Sequence, residues 1–297
     1  MTTALCTREG TELLPDGRRL AWSSGGPQDG VPVLYLHGAI GTPVRRTPEL
    51  EALIERLGIR YIAVNRPGFG RSDPSPGRRI ADFPADVECL ADRLGLERFA
   101  VVGVSAGGPY AIACARALPD RAAATAAVSS VSPLCAPHAG RWMPAHVRFA
   151  LRAMVRRPDL VARGGTRVMR LAERRPNALT RLASLGATPA DRQLLAASEG
   201  GTAAIESFLA TAAGGVRGMI DDYLTCCSAW GFHLREVLGE VHLWHGEQDR
   251  FVPVEHARAV AAALPRCQAR FDADDGHFFF RRRLEDVLGS LVAALGH

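Results

Sequence analysis

Short apolar runs that alternate with helical segments constrain the fold of this chain more than any other feature of its sequence. Residues 33–36, 61–64 and 99–104 are apolar and too short to form helices. The intervening residues 48–57 and 85–94 have the character of amphipathic helices. Strands that are buried on both faces and separated by helices belong in a mostly parallel sheet with helices on each side. The pattern therefore predicts an α/β fold.

The alternation of strands and helices stops near residue 133, before the middle of the chain, and later returns. Residues 133–230 contain helical patterns and turn residues but no convincing strand. Strands return at residues 241–244 and 267–271, and a last helix is predicted over residues 281–295. A long helical insertion between two halves of one sheet is the simplest interpretation of this order.

The domain organisation follows from this interruption. A β-hairpin around Asp16-Gly17 adds two strands at the start of the chain. We expect residues 1–132 and 231–297 to form the core, with a central sheet of about eight strands flanked by helices. Residues 133–230 are expected to form a helical cap, or lid, and are called the cap segment below.

The segment Gly103-Val-Ser-Ala-Gly107 fits the pattern G-x-S-x-G, a sharp turn between a strand and a helix. Its serine, Ser105, must take a strained backbone conformation to project the hydroxyl above the sheet. The two glycines allow the strand and the helix to approach closely. A predicted strand before Ser105 and a predicted helix after it supply the context that the motif needs. Ser105 is therefore the candidate nucleophile.

Two further residues at strand ends have the chemistry that a catalytic serine requires. A serine hydroxyl needs a base within hydrogen-bond reach, and the base needs a partner that fixes its tautomer. His277 follows the strand that ends at residue 271, and Asp249 follows the strand 241–244. The chain order serine, acid, histidine is one in which such groups occur in enzymes.

Backbone N–H groups near Ser105 are candidates for binding a developing oxyanion. The N–H of Ala106, directly after the serine, is the first candidate. The second is expected from the loop after the strand 33–36, where the N–H of Ala39 is preferred and that of Ile40 is the alternative. His37 precedes both and is interpreted as a residue that braces this loop.

These motifs together resemble the α/β-hydrolase family. The resemblance runs from about residue 11 to residue 295, except for the cap segment. It is to the cofactor-free bacterial branch in particular, which includes esterases, epoxide hydrolases, dehalogenases and haloperoxidase-like enzymes. The segments that carry it are Leu36-His-Gly38, Asn65-Arg-Pro-Gly-Phe-Gly-Arg-Ser-Asp73, Gly103-Val-Ser-Ala-Gly107, His245-Gly-Glu-Gln-Asp249 and Asp275-Gly-His277.

The resemblance refines the assignment of the catalytic groups. The dehalogenases and epoxide hydrolases that resemble this chain use a carboxylate nucleophile, so a serine at position 105 argues against both activities. Residues 129–132 contain no acid, which leaves the family's other place for the acid unfilled. The family pattern favours Asp249 over Glu247, which comes earlier in the same turn.

The reaction that the resemblance implies is cleavage of an ester or related acyl bond of a small organic substrate by a serine hydrolase. No metal and no organic cofactor are expected. Two alternatives stay open: a lyase or C–C bond hydrolase that uses the same three residues, and a non-catalytic ligand-binding homologue. The sequence does not identify the substrate.

Charge and composition limit the partners of this chain. All 36 basic residues are arginine, and the formal net charge is +5. Twelve arginines lie between Arg141 and Arg192, against three acids, Asp159, Glu173 and Asp191. This basic cap is either a solvated face or a surface that attracts an anionic substrate. Nucleic acid is not expected as a partner, because no aromatic residues interleave with these arginines.

The remaining sequence features predict an ordinary cytoplasmic protein, either a monomer or a homodimer. No apolar run reaches the roughly 18–20 residues that a membrane-spanning helix requires, so stable membrane insertion is not expected. The first ten residues lack the apolar core of a signal peptide. The seven cysteines are scattered without the spacing of a zinc site and are interpreted as reduced thiols.

Overall fold

Eight strands form one sheet in the computed structural model, which describes residues 8–39, 47–136, 139–172, 187–196 and 215–296. The order across the sheet is β1-β2-β4-β3-β5-β6-β7-β8. Strands β1 and β2 form an antiparallel hairpin at one edge, β2 pairs antiparallel with β4, and all later pairs are parallel. The predicted mostly parallel sheet of about eight strands is confirmed. The strands are β1 Arg8–Leu13, β2 Arg19–Gly25, β3 Val31–Leu36, β4 Ile59–Val64, β5 Phe99–Val104, β6 Ala122–Val128, β7 Val241–Gly246 and β8 Cys267–Asp272.

The helices that come before β6 or after β7 in the chain cover the sheet. Other helices occupy the described residues between these two strands. The former are α1 Pro48–Arg56, α2 Phe83–Arg93, α3 Gly108–Ala117, α9 Val254–Ala263 and α10 Leu284–Leu295. The latter are α4 Ala139–Trp142, α5 Ala145–Arg156, α6 Pro158–Ala172, α7 Pro189–Ala196 and α8 Arg217–Cys227. In addition, short 3-10 turns lie at Ile80–Asp82, Ser105–Gly107, Leu234–Glu236 and His277–Arg281.

The sheet is buried on both faces because successive apolar residues of its strands point to opposite sides. In β3, Leu34 and Leu36 join the core beneath α2 and α3, whereas Val33 and Tyr35 join the core beneath α1 and α10. Residues of β4 and β5 divide between the same two cores. The continuous apolar runs of the sequence are thus explained by helices on each side of the sheet.

The last helix differs from its predicted start. It begins at Leu284 rather than at residue 281, because His277–Arg281 forms a tighter 3-10 turn that buries Phe279 completely. This turn holds the chain close to the end of β8 before the helix leads away. The change matters for the site, since His277 opens the turn.

The described residues between β6 and β7 form helices and no strand. Ala162 and Met169 of α6 pack against Val216 and against Ile220 of α8 in a small separate core. Among the helices in the described ranges, none has both the length and the hydrophobicity of a membrane-spanning helix.

Candidate active site

Ser105 stands at the turn between β5 and α3 in a conformation that side-chain-bearing residues rarely adopt. Its φ is 54°, in the left-handed region, where a non-glycine backbone is strained. The turn is tight. A Cβ at Gly103 would approach the backbone of Gly107 to under 3.0 Å, and one at Gly107 would approach the carbonyl of Leu36 equally closely. Glycine at both positions therefore permits the close packing that lifts Ser105 above the sheet edge.

His277 and Asp249 form the strongest polar contact at this edge. Nδ1 of His277 lies 2.7 Å from Oδ2 of Asp249. The other carboxylate oxygen of Asp249, Oδ1, accepts the backbone N–H groups of Phe251 and Val252, each at 2.8 Å. Both oxygens of this buried carboxylate are thus held in place. An imidazole that donates from Nδ1 keeps Nε2 as an acceptor, which is the tautomer a general base needs.

The sheet register brings His277 close to the strand that carries Ser105. Val104 of β5 is paired with Val128 of β6, so Ser105 and Ser129 leave neighbouring strands at the same edge. The Ser129 hydroxyl donates to the carbonyl of His277 at 3.1 Å. In the described residues Ser105 Oγ and His277 make no hydrogen bond with each other. Catalytic hydrogen bonds of this kind often tighten only when the substrate binds.

The surroundings of His277 favour its protonated form. Burial by itself would lower the pKa of this imidazole, but the carboxylates of Asp249 and Asp191 outweigh burial and raise the pKa above the ordinary value of 6.5. A base whose pKa lies near the working pH can both accept and return a proton. The ring also contacts Phe251, with centroids 5.4 Å apart.

Asp191 is a part of the site that sequence reasoning missed, because it was counted only among the few acids of an arginine-rich segment. This residue of α7 is fully buried and accepts the backbone N–H groups of His277 at 3.1 Å and Phe278 at 2.8 Å. One local signal exists in the sequence. Thr188 and Asp191 have the spacing of a helix-capping pair, which predicts the start of α7 but not its contact with His277.

The loop after β3 is braced as the sequence predicts. His37 Nδ1 lies 2.7 Å from the carbonyl oxygen of Gly38, and His37 Nε2 accepts the backbone N–H of Arg66 at 3.3 Å. Burial, followed by the nearby Arg66 cation, lowers the pKa of His37 to about 3, so the ring is neutral. A neutral ring with these contacts donates from Nδ1 and accepts at Nε2.

The two candidate oxyanion donors belong to chain segments that lie next to Ser105. A Cβ at Gly38 would lie 3.4 Å from the Ser105 Cβ, so the loop runs directly beside the serine. The Gly38 carbonyl points toward His37 and Arg66. In a trans peptide the following N–H, that of Ala39, points the opposite way. The N–H of Ala106 lies in the first turn after the serine, and Ile40 is outside the described residues.

A buried charge cluster joins this loop to α8. Arg66 is completely buried, donates to the carbonyl of His37 and pairs with Asp222 at 2.7 Å. The same carboxylate pairs with Arg78 at 3.0 Å and accepts the Tyr110 hydroxyl at 2.7 Å. Burial would raise the pKa of Asp222, but the two guanidinium groups outweigh it and lower the pKa. Arg66 belongs to the segment 65–73 that carries the family resemblance, whereas the sequence did not single out Asp222.

Glu247, the competing acid, is not brought to His277. It lies at the surface, where its carboxylate accepts from Arg258 at 2.7 Å. His245 is buried at the end of β7, with Nε2 2.8 Å from the carbonyl of Val252 and 3.4 Å from Asp249 Oδ2.

The loop after β4 also carries two charged residues that the sequence grouped with Arg66. Arg71 and Asp73 form exposed ion pairs with Glu9 and Arg19, at 2.9 and 2.8 Å, respectively.

Comparison with protein families gives one match that spans most of the chain. The sequence model of the family described as alpha/beta hydrolase fold matches residues 31–281. This range contains Ser105, Asp249 and His277 and extends from β3 into the 3-10 turn after β8.

Characterised relatives match only parts of the chain. A non-heme chloroperoxidase of Streptomyces lividans is 37% identical over 129 residues, which are 42% of this chain and 46% of that protein. A proline iminopeptidase of Neisseria gonorrhoeae is 31% identical over 106 residues, 35% of this chain and 34% of that protein. The matched segments thus span less than half the length of these relatives.

Solved structures resemble the chain over nearly its whole length. A bromoperoxidase from Bacillus anthracis superimposes with a TM-score of 0.73 and 19% identity, and the alignment covers 98% of this chain and all of that one. At this identity the likeness concerns the fold alone.

Proposed function

Because the chain belongs to the α/β-hydrolase fold family, we propose that it is a serine hydrolase that cleaves an ester or related acyl bond of a small organic substrate. Ser105 is the nucleophile, His277 the general base and Asp249 the acid that orients the histidine. The observation that carries the proposal is the 2.7 Å contact between His277 and Asp249, at the edge where Ser105 stands in its strained turn.

Acylation begins with the hydroxyl of Ser105. His277 takes the hydroxyl proton at Nε2 while Oγ attacks the carbonyl carbon of the substrate. The positive charge that forms on the imidazole is stabilised by Asp249 through the Nδ1 hydrogen bond. The tetrahedral oxyanion accepts hydrogen bonds from the N–H groups of Ala39 and Ala106. Collapse of this intermediate expels the alcohol, which takes the proton from His277, and leaves an ester on Ser105.

Deacylation repeats the same steps with water as the nucleophile. His277 removes a proton from the water, whose oxygen attacks the acyl carbon. The second tetrahedral intermediate uses the same two N–H groups. His277 then returns the proton to Oγ, which frees the acid product and restores Ser105. Every proton in the proposed cycle passes through one imidazole, so the cycle balances without a metal or an organic cofactor.

The choice of an acyl bond is supported by the site and by one relative. The N–H groups beside Ser105 suit the oxyanion of a tetrahedral acyl intermediate. The relative named proline iminopeptidase has a name that denotes cleavage of a bond to an acyl carbon. Ester, thioester and amide cleavage all pass through this intermediate. In this proposal, the cap segment determines which of these substrates can bind.

The cap segment, residues 133–230, is proposed to cover the site and to select the substrate. Its helix α7 carries the buried carboxylate of Asp191, which contacts the His277 turn. Its helix α8 carries the buried carboxylate of Asp222, which pairs with Arg66, and Arg66 in turn contacts the loop of His37. Residues 1–132 and 231–297 form the core in this proposal.

The proposal is tested by turnover of a panel of activated esters and thioesters of increasing acyl length. The expected result is hydrolysis by the parent, with loss of nearly all turnover in Ser105→Ala. Ser228→Ala is the matched control, since this exposed serine bonds only within its own helix. Equal turnover in the parent and in Ser105→Ala would contradict the proposal.

A further inference from the structure

We propose that Asp191 of the cap segment is a positioning residue for the general base, holding His277 through the backbone N–H groups of His277 and Phe278. The inference rests on the proposed function, because it concerns the base of that reaction. It makes α7 of the cap segment a working part of the site. The contact joins residues that are 86 and 87 positions apart.

The hydrogen bonds use both oxygens of the Asp191 carboxylate. Oδ1 accepts the N–H of Phe278 at 2.8 Å, and Oδ2 accepts the N–H of His277 at 3.1 Å. Oδ2 also accepts the hydroxyl of Thr188 at 2.9 Å. A carboxylate that receives two successive backbone N–H groups fixes the orientation of both peptides, and with them the start of the His277 side chain.

The packing around Asp191 leaves space for this contact and for little else. Asp191 is 0% exposed and Thr188 is 1% exposed. A Cβ at Gly276 would come closer than 3.0 Å to both side chains. The missing side chain at Gly276 therefore allows the carboxylate to reach the backbone of the His277 turn. This glycine does not have a positive φ, so close approach is the reason for it.

The charge of Asp191 adds to its positional effect. The charged and titratable groups that face His277 are Asp249 after β7, His245 at the end of β7 and Asp191 on α7. Asp249 contacts the ring directly, whereas Asp191 acts on the backbone and through the field of its charge. A carboxylate near an imidazole stabilises the imidazolium, so removing its charge lowers the pKa of the histidine.

A purely structural role for Asp191 predicts different behaviour. Thr188 and Asp191 also cap α7, and loss of a cap alone destabilises a helix. Such a loss would reduce the amount of folded protein or its melting temperature. It would not move the titration of His277 in the molecules that remain folded. The pH at which His277 titrates thus separates positioning from capping.

The test compares Asp191→Asn with the parent by two readouts. The first is the rate at which a small fluorophosphonate labels Ser105 as a function of pH. The second is the imidazole pKa of His277, measured by NMR on histidine-labelled protein. The expected result is labelling slower by about tenfold, because the base is misplaced. The midpoint of His277 is expected to move down by about half a pH unit, because a nearby negative charge is gone.

Asp159→Asn is the matched control, since it makes the same chemical change at an exposed carboxylate of the same segment. It is expected to leave rate and midpoint at parental values. Gly276→Ala disturbs the same contact from the His277 turn, because its methyl group displaces the Asp191 carboxylate without changing any charge. It is expected to slow labelling and to lower the midpoint, and it replaces Asp191→Asn if that variant does not fold.

The outcomes separate this inference from the proposed function. If the parent is labelled while Asp191→Asn and Gly276→Ala keep parental rates and midpoints, the positioning role is wrong and the hydrolase proposal stands. If the parent is not labelled at Ser105, the proposed function fails. The NMR midpoint still decides whether Asp191 acts on His277 in that case: a lowered value supports the contact, and an unchanged value overturns it.

Discussion

Two histidines beside Ser105 have opposite protonation preferences, and their neighbours explain why. Burial, followed by the nearby Arg66 cation, lowers the pKa of His37 to about 3, and its ring is held between a backbone carbonyl and a backbone N–H. His277 has the carboxylate of Asp249 at its ring and that of Asp191 at its backbone N–H, and these carboxylates outweigh burial and raise its pKa. One ring is therefore a fixed neutral brace, whereas the other has its protonated form stabilised by neighbouring carboxylates.

The role of Asp249 predicts a large loss of activity in Asp249→Asn. The amide oxygen can keep the N–H groups of Phe251 and Val252, so the amide nitrogen then faces Nδ1 of His277. Nδ1 must accept, the proton moves to Nε2, and the ring can no longer take the Ser105 proton. We expect kcat for an activated ester to fall about ten-thousandfold. Glu247→Gln, which alters only a surface ion pair, should retain parental kcat. If Glu247→Gln lost activity and Asp249→Asn kept it, Glu247 rather than Asp249 would be the acid that orients His277.

Buried neutral histidines predict that the fold loses stability in mild acid. Burial lowers the pKa of His256 to about 4, while an unfolded histidine titrates near 6.5. Between these values the unfolded chain binds a proton that the native site refuses, so stability falls as the pH decreases through this window. His256 contributes about 2 kcal/mol to the loss of unfolding free energy between pH 7 and pH 5.

Urea unfolding at these two pH values measures the effect of His256. In His256→Gln the difference in unfolding free energy between the two pH values should shrink, whereas the exposed His146→Gln should leave it unchanged. An identical difference in the parent and in His256→Gln would show that His256 takes up its proton in the native state.

The residues that the sequence could identify are those tied to strand ends. Ser105, Asp249 and His277 each follow an apolar run, and the ends of parallel strands meet at one edge of the sheet. Asp191 and Asp222 could not be identified in this way. Their partners lie 86 and 156 residues away, and the packing of helices without a sheet register brings them together.

At the scale of elements, α8 is fastened to the core by charge as well as by packing. In the described part of the chain, Asp222 is the one carboxylate that pairs with the buried guanidinium groups of Arg66 and Arg78. Arg66 in turn contacts the carbonyls of His37 and Gly38. A helix of the cap segment is therefore linked to the loop of a candidate oxyanion donor through one side chain.

This link predicts a large stability cost for Asp222→Asn. The substitution leaves two buried cations without a counter-charge, and breaking a buried pair in this way costs about 3–5 kcal/mol. Asp221→Asn on the same helix removes a carboxylate that pairs with the exposed Arg217 and should cost less than about 1 kcal/mol. Urea unfolding of both variants gives the comparison. Equal losses of unfolding free energy in Asp222→Asn and Asp221→Asn would mean that the buried cluster is neutral or solvated.

The order of strands and helices could largely be predicted, because each buried strand is a continuous apolar run. The residues at which the elements begin and end were harder to predict. The helix predicted over residues 281–295 begins at Leu284 instead, because the 3-10 turn His277–Arg281 precedes it and buries Phe279 against the sheet.

At the scale of the whole molecule, the arginine-rich cap presents a cationic surface. Arg163, Arg167 and Arg170 recur along α6 at the spacing of one helix face, and all three are exposed. Such a face attracts anions over a distance set by the salt concentration.

This surface predicts a salt-dependent effect on catalysis. Replacing Arg163, Arg167 and Arg170 together by Gln should lower kcat/KM for an anionic ester about tenfold at low ionic strength. The difference should vanish in high salt and for a neutral ester. The control replaces Arg93, Arg98 and Arg266, exposed residues away from the cap, by Gln. If both triple variants lowered kcat/KM equally, the cap arginines would act only through the net charge of the protein.

The central claim is that Ser105 is an activated nucleophile, and intact-protein mass after treatment with a small fluorophosphonate tests it most directly. The parent and Ser105→Ala are treated side by side, each shown to be folded by circular dichroism. The account predicts one adduct on the parent, at Ser105, and none on the variant. A folded parent that gains no adduct from even the smallest probe, or an adduct that persists in Ser105→Ala, would contradict it.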